Sequence, residues 1–524
     1  MNKIYFNCRG DFMLEVNHLS IKRIENNQEL IKDLSFTLNP GNKYAVIGHE
    51  GNGKSSLLKA IYNPNLIPYC EIKGSINVKG KMGYLEQDIG KVWKDVNLYD
   101  YLLKSSPKAE INLNDYEKLN LLDLYLAKVN FPLSSLDENK LMGEFSGGEI
   151  VKLGIVKLLI SEPDLFLLDE PTNDLDFETI LFLEDFILKE DRPILFVSHD
   201  EALLENTANG IIHLTLIHKR ANAESYFEKM TYTKYKESRA LTLESQEKIA
   251  RKQRKDYQEK MDRFRQIYQK VEHQQNQAVR NPQLGRLLKK KMHGLKSMEK
   301  RLVKEKERFL DLPEIEEAIE LFFPDKVSIP NGKLVLDLEL DYLKMNERIL
   351  SQQIKLLIKG PTKLAIIGKN GSGKTTLLQH IYNILKDRQD LSVGYMSQKY
   401  EELNTEQTAL DFLLKESSEE LEPKIRKMLG ALHFKREEML YPSSKLSGGQ
   451  KAKLLLLRMV IRENNCLLLD EPTRNLSPLS APEIHELLIN FNGCVICVTH
   501  DRKFIENVFD EVYELNENGL YKKA

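Results

Sequence analysis

Apolar and polar residues alternate along MLEVNHLSI and again along KLVLDLEL, the period of a strand with one covered face. Each stretch leads into a short apolar run, YAVIG or LAIIG, and then into a glycine-rich loop. Apolar residues at helical spacing follow, in SSLLKAIY and TTLLQHIY. Later in each half come two unbroken apolar runs, DLFLLDE with ILFVSHD and CLLLDE with VICVTH. Unbroken runs ending in polar residues suit parallel strands covered on both faces, with working residues at the strand ends. The two halves therefore predict the same order of α/β elements.

Residues 221–325 follow a different rhythm. Leu243, Ala250, Tyr257, Phe264 and Val271 recur every seven residues, and so do Leu288, Leu295, Leu302 and Phe309. Asn281-Pro282 and Gly285 interrupt between the two series, as a chain reversal would require. This pattern predicts two long helices in an antiparallel hairpin with a thin apolar seam. At a rise of about 1.5 Å per residue, such a hairpin would reach on the order of 40 Å. The expected division is a first α/β domain over 1–220, the hairpin over 221–325 and a second α/β domain over 326–524.

Charge sharpens this division. The chain has a formal net charge of −2, but residues 228–308 carry 24 Lys and Arg against 11 Asp and Glu. Between His273 and Met298 there are six basic residues and no acidic one. A basic segment in an otherwise acidic chain calls for a polyanionic partner. Arg280, Arg286, Lys289, Lys290, Lys291 and Lys296 are the candidate contacts to that polyanion. No apolar run approaches the roughly 18 residues of a membrane helix, and the first residues lack the apolar stretch of a signal peptide. These features predict a soluble cytoplasmic chain without a membrane partner. Cys494 and Cys497 are spaced as C-x-x-C but lie within an apolar run, so buried strand positions are expected rather than a metal or redox pair.

The candidate chemistry is also written twice. GHEGNGKS supplies Gly48, Gly51, Gly53, Lys54 and Ser55, followed by Ser56; GKNGSGKT supplies Gly368, Gly371, Gly373, Lys374 and Thr375, followed by Thr376. A glycine loop between strand and helix offers backbone N–H groups and a helix N-terminus to phosphate, with the lysine on the β/γ-phosphates. ATP and Mg²⁺ are the implied ligands. Ser55, Gln87 and Asp169 in the first copy, with Thr375, Gln398 and Asp470 in the second, are the candidate Mg²⁺ ligands. Glu170 and Glu471 are the candidate bases for the attacking water, and His199 and His500 the candidate γ-phosphate partners. Ser146, Gly147 and Gly148, with Ser447, Gly448, Gly449 and Gln450, open two further helices with an anion-binding N-terminus. The Ser146–Asp169 and Ser447–Asp470 spacings are both 23, and the distances onward to His199 and His500 are both 30. The Lys54–Gln87 spacing is 33 and Lys374–Gln398 is 24.

With these motifs in place, both halves resemble ATP-binding-cassette ATPase domains, of the P-loop NTPase type, over most of the chain. Two cassettes joined by a long basic helical hairpin resemble the ABC-F family of translation factors, whose PTNHLD-type motif appears here as PTNDLD. The resemblance implies a monomer whose cassettes pair with each other, each phosphate loop facing the SGGQ-type loop of the other copy. It implies hydrolysis of ATP to ADP and phosphate. It also implies the 70S ribosome as partner, through 23S rRNA and P-site tRNA. The variant PTRNLSPLS in the second copy resembles the antibiotic-resistance branch, whose members displace drugs from the peptidyl-transferase centre. A housekeeping translation factor and the ATPase subunit of a transporter remain the alternatives. In FSGGE, Phe145 and Glu149 stand where Leu and Gln are usual, and Ser477 stands opposite Asp176, so two unequal ATP sites are expected. Tyr342 is the candidate adenine-stacking residue of the second copy, with only Ile21 to Ile24 in the corresponding region of the first.

Overall fold

The computed structural model describes residues 13–523, apart from 50, 88, 105, 112–119, 132–139, 173–174, 218–221, 278–281, 307–321, 325, 346–347, 404, 416–420, 433, 435, 475, 477 and 479–480. The first cassette contains β1 (Leu14–Arg23), β2 (Glu29–Leu38), β3 (Lys43–Ile47), β4 (Cys70–Val78), β5 (Met82–Leu85), β6 (Leu165–Asp169), β7 (Ile194–Val197), β8 (Gly210–Ile217) and β9 (Asn222–Glu228). The second contains β10 (Leu334–Met345), β11 (Arg348–Lys359), β12 (Lys363–Ile367), β13 (Val393–Met396), β14 (Cys466–Asp470), β15 (Cys494–Val498), β16 (Glu511–Asn516) and β17 (Gly519–Lys523). The principal sheets have the same topology. Their strand orders are β5-β6-β7-β3-β8-β9 and β13-β14-β15-β12-β16-β17, parallel except for the last, antiparallel strand.

The unbroken apolar runs are the central strands. All five residues of β6 and of β14 are buried. In β14, Leu467 and Leu469 join the core around helix Gly448–Ile461, while Cys466 and Leu468 join the core around helix Lys374–Leu385. The strand is apolar throughout because both of its faces are covered. Alternation along β15 also places Cys494 and Cys497 in opposite cores, and both are free thiols. The expected buried strand positions are confirmed.

Each cassette also carries an antiparallel sheet, β2-β1-β4 in the first and β10-β11 in the second. The nine-residue β4 occupies the Lys54–Gln87 segment, where the first copy is nine residues longer than the second. The first cassette runs to Tyr232 rather than to residue 220, because β9 hydrogen-bonds along β8 from Asn222 to Glu228. Thr233–Ala318 forms a separate compact unit.

In that unit, helix Tyr232–Gln277 and helix Pro282–Lys306 share a narrow core. Phe264, Val271, Leu288, Leu295 and Leu302 form it, with Tyr257, Met261, Tyr268 and Met292 packed alongside. The five core residues and Tyr257 are predicted heptad positions, whereas Leu243 and Ala250 are not part of this core and Phe309 lies outside the described residues. The second helix begins at Pro282, where a missing N–H costs nothing in a first turn. Gly285 therefore sits inside this helix and does not interrupt the chain as expected. Arg286, Lys289, Lys290, Lys291 and Lys296 are all exposed, and among the described residues none has an ion-pair partner. Arg280 lies outside the described residues. Farther along the first helix, Lys248 and Arg251 pair with Glu244 and Glu247 one turn away.

Candidate nucleotide sites

Both phosphate loops run from a buried central strand into a helix, β3 into Lys54–Tyr62 and β12 into Lys374–Leu385. The first glycine of each loop passes close to a neighbouring strand. A Cβ on Gly48 would lie 2.2 Å from the Leu214 carbonyl oxygen, and one on Gly368 would lie 2.3 Å from that of Leu515. Gly53 and Gly373 cap the two helices in left-handed conformation, at φ 89° and 96°. Lys54 and Lys374 are buried and curl back over their own loops. Lys54 Nζ donates to Gly48 O at 2.9 Å and Lys374 Nζ to Gly368 O at 2.7 Å. A phosphate would replace these carbonyl acceptors with anionic ones, which bind an ammonium about twice as strongly.

The strand-end acids sit beside the loops. Ser55 Oγ donates to Asp169 Oδ1 at 2.9 Å, and Tyr84 OH to Asp169 Oδ2 at 3.1 Å. Burial pushes the Asp169 carboxyl up to about 6, although the Ser55 and Tyr84 hydrogen bonds oppose it. Glu170 is held from both sides: Gln87 Nε2 donates to its Oε2 at 2.6 Å, and His199 Nε2 lies 3.1 Å from its Oε1. The second copy is looser. His500 Nε2 stands 3.8 Å from Glu471 Oε1, and both His500 ring nitrogens are buried without a hydrogen-bond partner. An orphaned imidazole on a cavity wall fits an incoming phosphate. Burial, with the Lys374 charge, holds His500 down to about 4, so the ring is neutral near pH 7.

The Ser55 hydroxyl, Asp169 carboxylate and Gln87 amide are oxygen donors suited to Mg²⁺, as are Thr375, Asp470 and Gln398 in the second copy. Among the described residues no group of three or more His, Cys, Asp or Glu could hold an ion alone. Such an ion would take further ligands from phosphate and water, and would neutralise charge developing on the transferred phosphate.

The two cavities differ in kind. The one at the second phosphate loop has a volume of about 780 Å³. Gly371, Gly373, Lys374, Thr375, Thr376, Gln398, Asp470, Glu471 and His500 line it from one side, and Ser146, Gly147 and Glu149 from the other cassette. The expected crossing of copies is present here. Ser146 caps helix Gly147–Ile160, and the Glu149 carboxylate bonds back to the Ser146 N–H at 2.8 Å, the same reciprocal cap that Gln450 makes with Ser447. The cavity at the first phosphate loop is about 310 Å³, lined by Arg23, Gly51, Gly53, Lys54, Ser55, Ser56, Gln87, Glu170, His199 and Arg474. Ser447, Gly448, Gly449 and Gln450 do not line it. The residue that the second cassette contributes to this cavity is Arg474.

Polar pairs between the cassettes surround this region. Asn370 N donates to Asp176 Oδ2 at 3.4 Å and Lys369 Nζ meets Glu178 at 2.9 Å. Arg502 bridges Glu184 at 2.7 Å and Asp200 at 3.4 Å, and Lys503 meets Glu205 at 2.8 Å. Ser477 lies outside the described residues, whereas Asp176 caps helix Phe177–Lys189. Tyr342 does not line the second cavity. It lies on the outer face of β10, 53% exposed, and Met345 and Arg348 take the wall position instead. Arg23, Arg348 and Arg474 were missed by sequence reasoning. Only Arg474 left a trace there, as the Arg of PTRNLS.

One pH dependence follows. Burial, then Asp470, pushes the Glu471 carboxyl up to about 8. Below that pH the group is protonated and cannot accept a proton from water; above it the base form dominates. In Glu170→Gln, where Glu471 alone can serve, kcat/KM for ATP is expected to climb nearly tenfold per pH unit below 8 and to level off above it. A profile flat from pH 6.5 to 9 would remove Glu471 from the role of base.

The model of the family described as "ABC transporter" matches residues 31–173 and 351–474, together just over half of the chain. Among curated relatives, ABC transporter F family member 2 of Arabidopsis thaliana is 27% identical over 94% of this chain and 75% of its own length. ATP-binding protein Uup of Buchnera aphidicola is 27% identical over 94% and 79%. Putative ATP-binding protein YdiF of Bacillus subtilis is 28% identical over 97% and 80%. Among solved structures, the RNase-L Inhibitor matches with a TM-score of 0.56 at 17% identity, covering 96% of this chain and 89% of that one. An archaeal ribosome recycling factor, aABCE1, in complex with the ribosomal stalk protein aP1, matches with a TM-score of 0.56 at 15% identity over 96% and 90%. Both structural matches show the tandem-cassette fold. Among the described residues no helix is long and apolar enough to cross a membrane. With two matched domains, two phosphate loops and paired strand-end acids, this chain belongs to the ABC transporter family of ATP-binding domains, as a tandem ATP-hydrolysing enzyme.

Proposed function

We propose that the chain is an ABC-F translation ATPase that engages the ribosome with ATP between its cassettes and leaves after hydrolysis. In this reading, Lys54 and Lys374 hold the β/γ-phosphates, Glu170 and Glu471 deprotonate water, and His199 and His500 orient the γ-phosphate. Two curated relatives carry ABC transporter F family names, and one fold neighbour is titled a ribosome recycling factor. The observation that carries the reading is the exposed basic row Arg286, Lys289, Lys290, Lys291 and Lys296, which has no ion-pair partner among the described residues. Unpaired, exposed positive charge of this kind suits a polyanion such as RNA.

The finer reading is ribosomal protection: the hairpin tip reaches the peptidyl-transferase centre and displaces drug. The PTRNLSPLS variant and the long basic hairpin favour it over a housekeeping role. The charge test is direct. Replacing the five exposed basic residues by Gln should flatten the log–log salt dependence of ribosome binding by about 3 to 4, at about 0.7 for each phosphate no longer neutralised. ATP binding should be unchanged. An unaltered slope would mean that the row is merely solvated.

A further inference from the structure

Among the described residues, Arg474 and His199 line both nucleotide cavities. Arg474 follows Glu471-Pro472-Thr473, and its N–H donates to the Glu471 carbonyl at 3.3 Å, which turns the chain immediately after the strand-end acid of the second copy. Arg474 also lines the first cavity, together with Lys54, Ser55, Gln87, Glu170 and His199. The corresponding residue of the first copy is Asn173, which has no charge to offer. Every other residue of the small cavity comes from the first cassette.

We propose that Arg474 is a γ-phosphate ligand shared by the two cavities. The proposal rests on the reading that each cavity takes one ATP. Two features support it. Half of the residues that line the first cavity are groups that belong at the reacting end of ATP: Lys54, Ser55, Gln87, Glu170 and His199. A guanidinium presents five N–H donors in a fixed fork, enough for two phosphates at once, and it stays charged at any working pH.

The test separates the cavities. Lys374→Ala leaves only the first cavity able to bind ATP tightly, and Lys54→Ala leaves only the second. Equilibrium binding of a non-hydrolysable ATP analogue and of ADP is measured in each background, with and without Arg474→Asn. Removing a charged donor to the γ-phosphate should weaken ATP-analogue binding by roughly 10- to 100-fold in both backgrounds and change ADP binding less than threefold. Arg474→Lys, which keeps the charge, should recover most of the affinity and serves if the Asn variant folds poorly. Arg23→Ala should matter only in the Lys374→Ala background, because Arg23 lines only the first cavity. Weakening in one background alone, or equal weakening for ATP analogue and ADP, would overturn the proposal. If the parent Lys54→Ala and Lys374→Ala proteins bound ATP as tightly as wild type, the assignment of ATP to these cavities would fail instead.

Discussion

Glu170→Gln combined with Glu471→Gln is expected to lower ATP turnover by 100-fold or more while leaving ATP binding intact. Removing a positioned base costs about 10² to 10⁴ in rate, and glutamine keeps the shape that the neighbours read. Gln87 Nε2 can still donate to the side-chain oxygen at position 170, and Glu471 sits in a buried pocket that prefers a neutral group near pH 7. The amide therefore disturbs neither wall. Nucleotide should remain trapped: after rapid filtration, the double variant should retain ATP rather than ADP. Single-turnover analysis of the retained nucleotide checks this. Recovery of mostly ADP would show that another group activates the water.

The second large effect is expected at the hairpin reversal. Deleting Gln277 to Leu284 and closing with glycines removes the end of the hairpin but spares its seam. Phe264, Val271, Leu288, Leu295 and Leu302 all remain to pair the helices. At about 1.5 Å per residue the 25-residue helix Pro282–Lys306 is about 37 Å long, so most of the charged shaft survives. ATP turnover and most ribosome affinity should persist, because the exposed lysines at 289–291 and 296 are retained. Protection against peptidyl-transferase drugs should be lost entirely if the tip is the effector. Susceptibility and ribosome pelleting on the same variant decide it. Protection that survives along with binding would exclude the tip and leave a rearrangement driven by the cassettes.

Much of this was legible in the sequence because its signals are local. A glycine loop between a buried strand and a helix fixes its own backbone, so Gly48 to Ser55 and Gly368 to Thr375 could be placed without tertiary information. Strand ends were equally readable: β6 and β14 deliver Asp169 and Glu170, Asp470 and Glu471 where their apolar runs stop. Heptads placed the hairpin seam, although Gly285 proved compatible with a helix already begun at Pro282. What failed depended on partners distant in sequence. The β8–β9 pairing that moved the first domain boundary joins two runs across a turn, and nothing in residues 221–228 announces it. Tyr342 was aromatic and near the right place, yet in β10 it is Leu343 that turns inward and Tyr342 that faces out. Arg474 lines both cavities only because the two cassettes face each other around Asp176, Asn370, Glu184 and Arg502. Spacing within one copy carries no trace of that geometry.

The central claim is that ATP held between the cassettes, before hydrolysis, is what commits the protein to the ribosome. The most direct test is co-sedimentation of Glu170→Gln/Glu471→Gln with purified 70S ribosomes at fixed salt, with ATP in one arm and ADP in the other. The expected result is nearly stoichiometric pelleting with ATP and at least tenfold weaker binding with ADP, a difference of about 1.4 kcal/mol or more. Equal pelleting in the two arms would contradict the claim, whatever the ATPase rate.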